Sequence, residues 1–142
     1  EDATIDVEVY DMNQDGFKDL ILANRNNQPN YIYLNDGGLN FNKKILFGTG
    51  NDNTRAVEIG DFNSDGYEDI ATANINEPNL IYFGDKDITF KKNIVFDVSE
   101  SSSFSLAVND FDGNGYLDIV VGNSPGPTKL YLNISMRHFF GS

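Results

Sequence analysis

Three short stretches of this chain carry oxygen-bearing side chains at a spacing suited to holding a metal ion. They are Asp11-Met-Asn-Gln-Asp-Gly-Phe-Lys-Asp19, Asp61-Phe-Asn-Ser-Asp-Gly-Tyr-Glu-Asp69 and Asp110-Phe-Asp-Gly-Asn-Gly-Tyr-Leu-Asp118. Side-chain oxygens fall at positions 1, 3, 5 and 9. The candidate ligands are Asp11, Asn13, Asp15 and Asp19, then Asp61, Asn63, Asp65 and Asp69, then Asp110, Asp112, Asn114 and Asp118. Position 7, held by Phe17, Tyr67 and Tyr116, can add a backbone carbonyl, and glycine at position 6 permits the sharp turn around an ion.

Ca²⁺ takes several hard oxygen ligands in flexible geometry, which one short segment of this kind supplies. Mg²⁺ demands tighter octahedral geometry and keeps its waters. Zn²⁺ calls for His or Cys, which these loops lack. Each loop crowds three carboxylates into nine residues, and they repel one another unless a cation sits among them. One such loop alone is also what an ordinary Asx turn looks like. Repetition in phase argues for the metal. The loops are not EF-hands: position 12, where an EF-hand places its bidentate Glu, is Leu22, Thr72 and Val121. The position-9 Asp is expected to supply the carboxylate instead.

The elements that must position these loops repeat with them. The loops start at residues 11, 61 and 110, so they lie 50 and 49 positions apart. Leu20–Asn24, Ile70–Asn74 and Ile119–Asn123 follow them, then Tyr31–Asn35, Leu80–Gly84 and Lys129–Asn133. Phe41–Phe47 matches Phe90–Phe96. In the second repeat the strand-like runs are Arg55–Ile59, Ile70–Ala73, Leu80–Phe83 and Phe90–Phe96. All are short, rich in β-branched and aromatic residues, and bounded by turn formers. Four short antiparallel strands per unit at this period is the pattern of propeller blades. The expected fold is all-β: three four-stranded antiparallel blades of a β-propeller, spanning 3–52, 53–102 and 103–140. The third is shortened, with Asn133 and Ile134 as a tight turn and Ser135–Phe140 as its last strand. Lys43, Lys44, Lys91 and Lys92 fall on the outermost strands, where lysine discourages edge-to-edge aggregation. Tyr33, Tyr82 and Tyr131 recur at equal phase, which suits an aromatic platform but more often means repeated core packing.

Composition narrows the function. Twenty-two acidic against ten basic residues give a net charge of −12, which argues against nucleic acid and anionic membranes as partners. There is no cysteine, so disulfide and thiol chemistry are excluded, and no stretch has the length of a transmembrane helix. His138 is the sole histidine and no G-x-S-x-G elbow occurs, so no catalytic residue is assigned. A hydrolase using paired carboxylates is disfavoured, because the best-ordered acids serve as metal ligands. Asn133-Ile-Ser135 is a glycosylation sequon, relevant only in a eukaryotic secretory setting.

With these loops and this period, the chain resembles the FG-GAP/VCBS repeat family, the Ca²⁺-binding blades of integrin α-subunit propellers and of many secreted adhesins and lectins. The name's Phe-Gly stands at Phe47-Gly48 and becomes Phe96-Asp97 in the next repeat. The resemblance implies about three Ca²⁺ ions, one per repeat, an extracellular or secreted location, and a protein or carbohydrate ligand. Three blades fall short of the about four to eight that close a propeller. The expectation is therefore a partial propeller, completed by further blades of the same protein or by a homo-oligomer. In integrin-like propellers the partner face lies opposite the metal loops, which here carries Arg25–Asn30, Ile75–Asn79 and Ser124–Thr128, with Gly48–Thr54 and Asp97–Ser103. An architectural segment of a larger extracellular assembly shares every one of these motifs.

Overall fold

The computed structural model describes residues 3–98, 102–135 and 138–141. The described chain is all-β and forms three four-stranded antiparallel sheets. The first sheet joins β1 (Thr4–Tyr10), β2 (Asp19–Asn24), β3 (Gln28–Leu34) and β4 (Lys43–Asp52) in chain order. The second joins β5 (Thr54–Gly60), β6 (Asp69–Asn74), β7 (Asn79–Phe83) and β8 (Lys92–Asp97). The third joins β9 (Ser103–Asn109), β10 (Asp118–Asn123), β11 (Lys129–Ser135) and β12 (His138–Gly141).

Strand alternation gives each sheet two faces, and the register decides what lies on each. On one face of the first sheet, Ile21 pairs with Ile32 and Ile32 with Ile45, with Ala23, Leu34 and Phe47 beside them. That face packs on Val57, Ile70 and Tyr82 of the second sheet. The other face of the second sheet, with Ala71, Ile81 and Phe96, packs on Ile119, Val121 and Tyr131 of the third. Both cores use the same edge-to-face aromatic contact: Phe47 with Tyr82 at 6.0 Å and Phe96 with Tyr131 at 5.4 Å between ring centres. The equal phase of Tyr82 and Tyr131 is therefore core packing. Tyr33, in the same phase, stands half-buried because no sheet among the described residues covers its face.

The first strands of the three sheets converge, β5 lying beside β1 and β9 beside β5. Asp6 on β1 accepts a hydrogen bond from the Val57 amide at 3.0 Å. Burial, then the neighbouring Glu8 and Asp6, push the Glu58 carboxyl up to about 7.

A polar clasp repeats at the end remote from the three Asp/Asn loops. The Asn30 side chain accepts from the Asn24 amide and donates to Thr54 Oγ1 of the next sheet at 2.8 Å. Asn79 likewise accepts from the Asn74 amide and donates to Ser103 Oγ at 2.7 Å. Each clasp satisfies buried polar groups while tying one sheet's third strand to the next sheet's first.

Two expectations need correction. The run Phe90–Phe96 is not one strand: β8 starts at Lys92, and Ile88 and Phe90 both take positive φ, 54° and 49°. Phe90 leaves the ladder to bury itself between the first two sheets, beside Ile88. Burial of a large aromatic side chain, worth roughly 1.5–3 kcal/mol, offsets the unfavourable backbone conformation. Asn133 and Ile134 are not a turn either. They lie within β11, where Asn133 pairs with Phe139 and its amide donates to Asp118 Oδ1 at 2.8 Å. That bond holds it in the strand, so the last strand begins at His138.

Candidate metal centres

Each candidate metal loop bridges the first two strands of its sheet: 11–19 between β1 and β2, 61–69 between β5 and β6, and 110–118 between β9 and β10. Chain amides wrap around the side-chain oxygens in the same way in all three. Asp11 Oδ1 accepts from the Asp15 amide at 3.1 Å and Oδ2 from the Gly16 amide at 2.8 Å. Asp61 takes the Asp65 and Gly66 amides at 3.0 and 2.8 Å, and Asp110 the Asn114 and Gly115 amides at 3.1 and 2.9 Å. Position 5 then accepts from the position-7 amide: Asp15 from Phe17, Asp65 from Tyr67 and Asn114 from Tyr116. The curl requires left-handed backbone at position 4 as well as at the position-6 glycine. Gln14, Ser64 and Gly113 have φ of 57°, 58° and 77°. Gly113 is the one sequence trace of that second requirement.

The position-9 aspartates do something the spacing did not reveal. Asp19, Asp69 and Asp118 are fully buried. Each accepts two backbone amides from different parts of its sheet. Asp19 takes Met12 at 2.8 Å and Asn35 at 2.9 Å. Asp69 takes Phe62 at 2.9 Å and Gly84 at 2.8 Å. Asp118 takes Phe111 and Asn133, both at 2.8 Å. The carboxylate thus pins the loop to the end of the third strand. Asn35 and Asn133 make this approach with a side chain, whereas a Cβ on Gly84 would stand 2.1 Å from the Glu68 carbonyl, so the second repeat needs glycine there. The partner sits 16 residues downstream in the first repeat and 15 in the other two, at the repeat-equivalent positions Asn35, Gly84 and Asn133.

Charge in these loops is balanced unevenly. Burial raises the Asp69 carboxyl to about 7, against the pull of the Gly84 and Phe62 amides, with Asp65 and Asp61 adding to the rise. Asp19 is raised chiefly by burial as well. Asp110, at the open end, is lowered by hydrogen bonds led by the Gly115 amide. In the third loop the carboxylate oxygens of Asp110, Asp112 and Asp118 come within 4.8 Å of one another. In the first two loops Asn13 and Asn63 stand where Asp112 does, and Asp15 and Asp65 where Asn114 does, so every loop keeps three carboxylates. All three loops offer oxygen donors alone, a set that fits a hard cation of calcium's kind.

The FG-GAP-like repeat model matches residues 11–72 and again 61–121, each match running from one metal loop into the strand after the next. The chain belongs to the FG-GAP-like repeat family. A comparison with curated proteins finds no match. Neighbouring FG-GAP-like repeats also touch at this end: Gln14 Nε2 of the first loop donates to the Gly66 carbonyl of the second at 2.9 Å, and Asn133 Nδ2 of β11 to the Phe62 carbonyl at 2.9 Å. The second contact settles the sequon. Asn133 is fully buried with its amide nitrogen engaged, so a glycan on that nitrogen is incompatible with this fold.

Proposed function

We propose that this chain is a Ca²⁺-stabilised, β-propeller-type repeat module that binds an extracellular protein or glycan and is not an enzyme. The observation that carries the reading is the common geometry of the three oxygen-only loops, with the carboxylates of Asp110, Asp112 and Asp118 drawn within 4.8 Å. Asp11, Asn13, Asp15 and Asp19 would hold one ion, Asp61, Asn63, Asp65 and Asp69 a second, and Asp110, Asp112, Asn114 and Asp118 a third. The position-7 carbonyls of Phe17, Tyr67 and Tyr116 complete each set. A bound cation supplies positive charge where the fold has gathered carboxylates. The residues themselves fix the loop ends and present the opposite rim. There Arg25, Asn26 and Asn27 are exposed, whereas Gln28 and Asn30 are drawn into contacts with Ala3 and Thr54. Calorimetric titration of Ca²⁺ into metal-free chain should fill about three sites, and Asp65→Ala should remove one while sparing the rest. Absence of heat up to millimolar Ca²⁺ rejects the reading.

An architectural role inside a larger assembly finds support in the uncovered face of the first sheet. Val7 and Val9 stand 47% and 54% exposed there, beside Leu20, Leu22, Tyr31 and Tyr33. The second sheet's corresponding residues, Val57, Ile59, Ile70, Leu80 and Tyr82, are covered by the first sheet. The face is thus built like a buried one, and further blades or a second copy of the chain would cover it. Light scattering on the purified chain should show self-association, and Val7→Lys with Val9→Lys should reduce it to monomer. A stable monomer of the parent chain overturns this.

A further inference from the structure

A groove of about 740 Å³ opens on the metal-loop end of the second sheet, and its walls differ in chemistry. Asn63 and Asp65 of the second loop line one side, Tyr67 and Phe83 supply ring surface, and Lys91 and Lys92 stand at the β8 end. Its volume lies within the range of about 300–1,000 Å³ usual for small-ligand sites. Lys86 lines it too, so three of the chain's ten basic residues face one groove in a protein of net charge −12. Lys86 is taken by Asp87 at 2.8 Å. Lys91 and Lys92 make no ion pair among the described residues, where Lys86 and Lys129 are the lysines that do.

The first repeat does not reproduce this arrangement. There Phe17 lies against Gly37, closing the space beside the loop, since a Cβ on Gly37 would fall 2.6 Å from the Phe17 ring. Lys44 is spent over the Tyr31 ring at 4.3 Å, and the position of Lys91 is held by Asn42. Lys43 holds the position of Lys92, so the second repeat differs from the first in Lys91 and in the open groove.

We propose that this groove binds an anionic saccharide, a sugar carrying a carboxylate or sulfate. The sugar's C–H face lies on the Tyr67 ring, and its acid group reaches the Lys91 and Lys92 ammoniums. The proposal rests on the calcium reading, because a cation in the second loop offsets the charge of Asp65 on the groove's wall, while Asp85, the other acid there, is held by Thr89 Oγ1 and the Asp87 and Thr89 amides. It places one ligand site on the metal-loop end, away from the rim formed by Arg25–Asn27.

The probes are methyl glucuronide, methyl glucoside 6-sulfate and methyl glucoside, titrated by NMR into the calcium-loaded chain. The glucuronide, the sulfate or both should bind at least tenfold more tightly than the neutral glucoside. Lys91→Glu with Lys92→Glu should erase the difference, and Lys91→Met with Lys92→Met serves if the reversal destabilises the chain. Equal binding of charged and neutral sugars overturns the proposal, as does indifference to both lysine variants. Binding of an Asp/Glu-rich peptide in place of either anionic sugar overturns it in favour of an acidic peptide. Calcium calorimetry on the same sample separates the two failures: filled loops without anionic-sugar binding reject the groove alone, whereas empty loops reject the calcium reading beneath it.

Discussion

Chelation of divalent cations is expected to lower the thermal midpoint of this chain by roughly ten degrees or more. The expectation follows from the charge that folding brings together. Each loop gathers three carboxylates, and the position-9 Asp is buried completely. Without a cation, burial raises Asp69 to about 7, with Asp65 and Asp61 pushing the same way, so its ionised form is disfavoured in the folded state. A cation among the loop oxygens reverses that sign, since opposite charge favours the carboxylate. The unfolded chain lacks the site, so binding free energy adds to folding free energy. A site held at a hundred times its Kd contributes about 2.7 kcal/mol, and a domain near this size shifts by about 2–4 °C per kcal/mol. Two or three filled loops therefore produce a shift well outside error. Adding Ca²⁺ back restores the midpoint, and equimolar Mg²⁺ does not. A midpoint that stays put in excess chelator rejects calcium as a structural component.

The sequence exposed what repeats at short range. The loop spacing, the strand-like runs and the period all depend on residues within about ten positions of one another, where residue type and local geometry are tightly linked. It did not expose which oxygens face inward. Asp19, Asp69 and Asp118 read as metal ligands like the others, yet their carboxylates also hold two backbone amides each, one of them 15 or 16 residues away. The Asn30–Thr54 and Asn79–Ser103 clasps join residues 24 apart and cross between sheets. An Asn-rich run gives no hint that one of its members is buried. Phe90 shows the opposite failure: its aromatic character fits a strand, but the space between two sheets claimed it instead. Asn133 matches a sequon only because a repeated structural Asn happens to precede Ile-Ser.

Asp69→Ala costs far more stability than Asp65→Ala when both are measured in chelator. Metal binding is then removed from the comparison, and what remains is the hydrogen bonding within the chain. Asp65 sits at an exposed loop, its oxygens taking the Tyr67 amide and Asn63 Nδ2, and water replaces those contacts when the side chain is lost. Asp69 is fully buried and takes the Phe62 and Gly84 amides. Its removal leaves both donors without a partner in a space water enters poorly. Each orphaned buried group costs about 1–3 kcal/mol, so Asp69→Ala is expected to lose about 2–6 kcal/mol. The exposed change stays within roughly 1 kcal/mol. Asp69→Asn tests the cause more narrowly, because its amide can accept one of the two N–H groups but turns a donor toward the other. It should fall between the parent and the alanine variant. Denaturant unfolding in chelator reads all three differences as midpoint shifts at constant slope. Equal losses for Asp65→Ala and Asp69→Ala would reduce the position-9 aspartates to plain metal ligands and remove their role in pinning the loop to the third strand.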